Sequence, residues 1–172
     1  MTTNRLLFRP FTLQDADALF KLDADPAVMR YLGNNPMTHI DQSHHYLEGI
    51  LKQYEDYGIG RWAVIEQSSN ELIGWAGIKF IADEVNGHHN FYDLGYRLRP
   101  AFWGKGYATE ATFAWIDYAK EKLPIRTLYA SAHEENVASR TVLKKCGLIE
   151  QGTFLFPLNG AILPCFWYEL TW

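Results

Sequence analysis

The chain has 172 residues, 48% of them apolar and 21% charged, the proportions of a globular protein with a core of its own. Its 16 basic and 20 acidic residues leave a net charge of −4, which argues against the basic face that general nucleic-acid binding requires. No apolar run approaches the roughly 20 residues of a membrane span, the opening residues Met1-Thr2-Thr3-Asn4-Arg5 lack the pattern of a secretory signal, and two cysteines, Cys146 and Cys165, are too few for a disulfide framework.

The expectation is therefore a cytoplasmic protein with free thiols. No repeat, linker or low-complexity stretch divides it, so residues 1–172 read as one domain.

A short strand over residues 5–9 stops at Pro10. Thr12 and Asp15 have the spacing of a helix cap, and Leu13, Ala16, Leu19, Phe20 and Leu22 continue at helical spacing. Residues 25–37, with Pro26, Gly33, Asn34, Asn35 and Pro36, read as loop and short helical turn. A second capping signal at Thr38-His39-Ile40-Asp41 opens a helix that ends at Gly58. Residues 62–66, 72–81 and 91–98 read as an antiparallel meander, with turn signals at 68–70 and at Asn86-Gly87. Helices are expected over 107–122 and 136–146, the latter closed by Gly147, with a strand over 127–132 between them. Strands over 153–156 and 162–170, joined at Asn159-Gly160, complete the chain. The class is α+β.

The chemistry concentrates after the third meander strand. A strand ends at Leu98, a loop with Gly104 and Gly106 follows, and a helix opens at Tyr107. A helix N-terminus offers unpaired N–H groups and partial positive charge, and glycines let an anion approach the backbone. Together they make a phosphate cradle, with Lys105 adding charge at its rim. A nucleotide-triphosphate loop would need Lys followed by Ser or Thr, and Gly106 follows Lys105 here; a dinucleotide fingerprint would need a third glycine that is absent.

These residues resemble the GNAT superfamily of N-acetyltransferases, and within it the branch acting on ribosomal-protein N-termini. The resemblance covers nearly the whole chain and is strongest from Gly95 to Ala111. Trp103-Gly104-Lys105-Gly106-Tyr107-Ala108 matches the family's pyrophosphate motif, Gln/Arg-x-x-Gly-x-Gly/Ala, with Trp in the first position, so that position gives no guanidinium. Asn136-Val137-Ala138-Ser139 through Gly147-Leu148 matches a second family segment. The resemblance implies a mostly antiparallel sheet of about seven strands, splayed between the fourth and fifth and flanked by about four helices. It implies acetyl-CoA as co-substrate and no metal. The pantetheine arm would pair with the backbone of Tyr96, Arg97 and Leu98, the pyrophosphate would sit on the amides of Trp103 to Ala108, and Asn136 would contact the pantetheine or thioester region while also able to cap its helix.

Direct transfer needs a base for the amine and an acid for the departing thiolate. The family's usual acid, a Tyr seven residues after the Asn, is Leu143 here. Ser139 is the first choice as acid or thiolate donor, against a purely local backbone hydrogen bond. Asp93 is the candidate base, against a solvated charge at a strand end. Glu110 suits a structural place in the first helical turn. His44-His45 and His88-His89 lack helical metal-ligand spacing and read as surface residues. Cys146 reads as core filler, and the aromatics of residues 154–168 as packing for the last hairpin, some of them able to line an acceptor pocket. Asp25, Asp41 and the apolar residues of the loop would tolerate a cationic amine.

The leading reading is an acetyl-CoA-dependent N-acetyltransferase for a protein or peptide N-terminus, ribosomal or other, or a small amine. The alternatives are a non-catalytic acyl-CoA-binding or sensor module and a scaffold with a degenerate site. Monomer and homodimer stay open.

Overall fold

The computed structural model describes residues 1–158 and 160–172. Its strands are β1 (Leu6–Arg9), β2 (Arg61–Glu66), β3 (Glu71–Ile81), β4 (Phe91–Leu98), β5 (Thr127–His133), β6 (Ile149–Leu158) and β7 (Ala161–Thr171). They form one seven-stranded sheet in the order β1-β2-β3-β4-β5-β7-β6. All neighbours are antiparallel except β4 and β5. The helices are α1 (Ala16–Asp23), α2 (Pro26–Met29), α3 (Ile40–Tyr57), α4 (Tyr107–Lys122) and α5 (Val137–Lys145). The meander, the α+β class and the order of elements agree with the sequence reading. Residues 26–29, read as a short helical turn, are α2. The hairpin signal's Asn159 lies outside the described residues.

Local chemistry explains the element ends. Asp15 accepts from Thr12 N (2.9 Å) and from both terminal nitrogens of Arg9 (2.7 Å each). Burial works against this carboxylate, but the Arg9 and Thr12 donors outweigh it and hold the group below the usual range. That clamp keeps Leu13–Asp15 in a 3-10 turn before α1 begins, so the helix starts later than its apolar spacing suggests. At α3 the cap is His39 rather than Thr38: Gln42 Oε1 reaches back to Thr38 N (2.7 Å) and His39 N (3.0 Å). Gly58 ends α3 at φ +67°.

Two apolar clusters cover the two faces of the sheet. One joins Phe8, Val64, Ile78, Leu94, Leu98 and Leu128 to Trp115, Ile116 and Ala119 of α4. The other joins Ala63, Ile65 and Trp75 to Leu19 and Leu22 of α1 and Leu47 and Ile50 of α3. Trp115 is fully buried, edge-on to Phe8 and Trp62; truncating such a residue costs about 3–5 kcal/mol. A register shift at Val64/Ile65 faces Gly74, where a Cβ would lie 2.1 Å from the Arg97 carbonyl. Only glycine permits that approach. The shift sends Trp75 to the α1/α3 side and Ala76 to the α4 side.

Candidate active site

The parallel pair β4–β5 is joined at a single register position, Asp93 opposite Tyr129. Beyond it the strands diverge, and the β5-facing edge of β4 is unpaired from Leu94 to Leu98 among the described residues. A cavity of about 830 Å³ opens there, lined from β4 by Asp93, Leu94, Gly95, Tyr96 and Arg97 and from across the gap by Ser131 and Ser139. An extended ligand carrying amides finds free strand groups along such an edge. The expected splay between the fourth and fifth strands is present.

β4 leads into α4 through residues 99–106. Gly104 and Gly106 have φ +70° and +82°, left-handed values that glycine adopts without strain. No side chain caps α4, and the N–H groups of residues 104–109 have no hydrogen-bond partner among the described residues. Open amides converge on a helix start, the arrangement that holds pyrophosphate. Lys105 is exposed at the rim. Trp103 stands where the family motif has Gln or Arg, and its indole Nε1 donates to the Leu98 carbonyl (2.6 Å), tying the loop to the end of β4.

Arg5 braces the same loop from β1's side. Its guanidinium donates to the Lys105 carbonyl (2.8 Å) and to Glu110 Oε2 (2.6 Å) and covers the Tyr107 ring at 4.3 Å. Glu110 also accepts from Thr3 Oγ1 (2.6 Å) and Arg5 N (2.9 Å), which makes it a structural anchor. The Tyr107 hydroxyl donates to Glu66.

α5 follows β5. Asn136 Oδ1 accepts from Ser139 N (3.1 Å), so Asn136 is the helix cap and its amide NH₂ group stays free of intramolecular partners among the described residues. Ser139, one turn in, meets a group the sequence reading did not connect to it. The Tyr96 hydroxyl lies 3.0 Å from Ser139 Oγ and 3.1 Å from the Ser139 carbonyl. Burial pushes the Tyr96 phenol well above its ordinary pKa, so it keeps its proton. Leu143 is buried and lines the cavity where the usual tyrosine acid would stand. Cys146 is buried in the core, its thiol pushed up to about 11 by that burial, and is not a nucleophile at neutral pH.

The opposite face of β4 carries the charges. The Arg61 guanidinium lies over Gly95, donating to the Gly77 carbonyl, the Asp93 carbonyl (2.7 Å) and Asp93 Oδ2. A Cβ on Gly95 would come 2.8 Å from Arg61 Nη2, so a side chain there would push the guanidinium out of its place. Asp93 Oδ2 is thus held in an ion pair with side chains 8% and 18% exposed, while Asp93 Oδ1 has no partner among the described residues. Asp93 is not the solvated strand-end charge considered as its alternative. Arg97 donates to Asp23 Oδ1 (2.6 Å), and both guanidiniums lie 5.1 Å from the Trp75 ring centroid, on the ring. The facing wall includes Tyr46, Ile50 and Gln53 of α3, with Trp167 and Phe156 from the last hairpin.

The structure therefore brings Asp93, Tyr96, Arg97 and Ser139 to one cleft, with Leu98 at the strand end, Trp103 to Ala108 beyond it and Asn136 at the start of α5. Arg61, Trp75, Lys79 and Asp23 were missed because they reach the cleft from distant segments. Gly77 and Gly95, glycines within strands, were the available signal of close approach: the backbone of residues 60–62 crowds Gly77 and the Arg61 guanidinium covers Gly95. His44, His45 and His89 are exposed, but His88 stacks 5.2 Å from the Trp167 ring and is not a plain surface residue. Among the described residues no group of three or more His, Cys, Asp or Glu is gathered as a metal would require.

Comparison with known proteins places the chain in a family and matches its fold. The model for the acetyltransferase (GNAT) domain matches residues 5–149. The uncharacterized N-acetyltransferase p20 of Bacillus licheniformis is 31% identical over 150 residues, covering 87% of this chain and 82% of its own. The spermidine N(1)-acetyltransferase of Escherichia coli K12 is 28% identical over 155 residues, covering 88% and 78%. The structure of the ribosomal alpha-N-protein acetyltransferase RimL in complex with coenzyme A superimposes with a TM-score of 0.82 at 19% identity, covering 99% and 96%, a likeness of fold. The protein belongs to the GNAT family of acetyltransferases and is an acetyl-CoA-dependent acyltransferase.

Proposed function

We propose that this acetyltransferase moves the acetyl group of acetyl-CoA directly to a primary amine, either a protein or peptide N-terminus, ribosomal or other, or a small amine. The observation that carries this reading is the pair of groups flanking one open strand edge: Asp93 Oδ1 is free on one face of β4 and the Ser139 hydroxyl stands over the other. Acetyl-CoA supplies an acyl carbon activated as a thioester. Asp93 takes the proton that the attacking amine must lose, directly or through one water, with Arg61 fixing the carboxylate's orientation. Ser139 donates its hydroxyl hydrogen to the sulfur as the C–S bond breaks, and the Tyr96 phenol, 3.0 Å from Ser139 Oγ, can turn its single hydrogen from the Ser139 carbonyl to that oxygen. The backbone of Tyr96, Arg97 and Leu98 pairs with the pantetheine amides, Asn136 contributes its free amide group, and the N–H groups of residues 104–108 hold the pyrophosphate beside Lys105.

Both named acceptor classes occur among the similar proteins, spermidine in one and a ribosomal protein N-terminus in another. The test is thiol release from acetyl-CoA in the presence of single amines. Release that depends on the amine, with one acetylated product per thiol, is expected. Acetyl-CoA binding with no amine-dependent release would overturn the reading and leave a binding module.

A further inference from the structure

The charges that line the acceptor side of the cleft do not balance. Three cations face it, Arg61, Lys79 and Arg97, against two carboxylates, Asp23 and Asp93. This is the reverse of the chain's net charge of −4. Arg61 is engaged by Asp93 and Arg97 by Asp23. Lys79 is left over. It makes no salt bridge or side-chain hydrogen bond among the described residues, although it sits directly opposite Asp93 in the β3–β4 register and is half-buried. Burial lowers its pKa, and Arg61 adds to that effect, while Asp93 opposes it. The remaining carboxylate oxygen on this side, Asp23 Oδ2, is sealed from solvent without a partner, so it offers an incoming cation nothing. Among the described residues that line this side, Asp93 Oδ1 is the one carboxylate oxygen left to receive a substrate amine.

An unpaired ammonium held partly out of water is costly, and a bound anion relieves that cost. A polycationic acceptor would instead bring further positive charge to a wall already carrying an excess of it. We infer that Lys79 marks an anion subsite, and that the amine acceptor carries its own carboxylate or phosphate group, with the amine at Asp93 Oδ1 and the anionic group at Lys79 Nζ. This rests on the acetyl-transfer reading above. It narrows the acceptor to a zwitterionic or acidic amine and sets aside the cationic acceptor that the loop residues Asp25 and Asp41 suggested. Asp25 spends its side chain capping α2 by accepting from Ala27 N (2.8 Å).

The test pairs each amino acid or amino phosphate with an analogue that keeps the amine and replaces the anionic group by an uncharged one. β-Alanine and 4-aminobutyrate are compared with their amides, 3-aminopropyl phosphate with 3-aminopropanol, and spermidine serves as the polycation. kcat/KM is read by thiol release, and binding of the same compounds to the enzyme–CoA complex is read by calorimetry. The acids are expected to exceed their partners that lack the anionic group roughly ten- to a hundredfold, the scale of one charge-assisted hydrogen bond, with spermidine lowest. The carboxylate and phosphate arms then show which anion the subsite takes. Lys79→Gln is expected to bring the ratio of acid to partner near one, and Lys79→Arg to restore most of it.

Preference of the wild type for the amines without an anionic group, or for spermidine, would overturn the subsite while sparing acetyl transfer. A uniform loss on all amines in folded Lys79→Gln, with the ratio kept, would also overturn it, because Lys79 would then act on the reaction itself. Binding of acids to the CoA complex without turnover of any amine would support the subsite and overturn the transfer reading.

Discussion

α4 and α5 both begin where a strand of the splayed pair ends, yet their first turns are finished in opposite ways. α5 satisfies itself: Asn136 caps it through Ser139 N (3.1 Å). α4 has no side-chain cap, starts from a glycine at φ +82° and leaves its leading amides open. A capped end is rigid and holds a nearby side chain in place, which is what a proton donor at Ser139 needs. An uncapped end keeps its partial positive charge for a ligand, which is what a pyrophosphate needs. The same local element serves positioning in one case and binding in the other, and the residue at the cap decides which.

The largest effect should come from breaking the open end. Gly106→Glu places a side chain at a left-handed position, 3.4 Å from Arg5 Nη2 at the Cβ, and a negative charge against the pyrophosphate. Acetyl-CoA affinity measured by calorimetry should fall roughly a hundredfold or more. Breaking the function of the capped end should show in turnover instead. Ser139→Ala should lower kcat about a hundredfold, the usual scale of a general acid, with the acetyl-CoA KM little changed. Tyr96→Phe should lower kcat less, because it removes the hydroxyl behind the donor and leaves the donor itself.

Removing the cap tests stability. Asn136→Ala should lower the unfolding free energy by about 1 kcal/mol in a denaturant titration, and Asn136→Asp should recover most of it, since either side chain accepts the Ser139 N–H. If Asn136→Asp restores stability while kcat stays low, the free amide group does more than cap the helix. The smallest effect belongs to the brace behind the loop. Arg5→Ala removes the bonds to Lys105 O and Glu110 and should weaken acetyl-CoA binding only a few-fold, on the scale of a half-exposed ion pair. An equal loss of binding and thermal stability in that variant would mean that the brace serves the N-terminal strand rather than the loop.

The cradle was legible because all of it is contiguous. Gly104, Lys105, Gly106 and the start of α4 are neighbours in the chain, and backbone amides need no distant partner to present themselves. The cap at Asn136 and the left-handed close at Gly147, φ +89°, were legible for the same reason. α3 shows the limit of such reading: the capping signal at Thr38-His39-Ile40-Asp41 does not say which residue is the cap, and Gln42, just beyond it, fixes the start at His39 because its amide oxygen reaches two N–H groups at once. Tyr96 was assigned only a backbone role, since nothing in the order of residues says that its side chain crosses 43 positions to meet Ser139.

The sequence by itself determined the class of the fold, the meander, the ends of α3 and α5 at Gly58 and Gly147 and the glycine loop before α4, because hydrophobic period, glycine conformations and capping act over a few residues. Tertiary structure alone decided the charge pattern of the acceptor side. Arg61, Trp75, Lys79, Asp93 and Arg97 lie on three strands and Asp23 on a helix, and only pairing those strands in one register over Gly77 and Gly95 determines which cations are neutralised and which one is left. Ion pairs depend on distance in space, and the free ammonium of Lys79 is what remains after every nearer carboxylate has been engaged or sealed away.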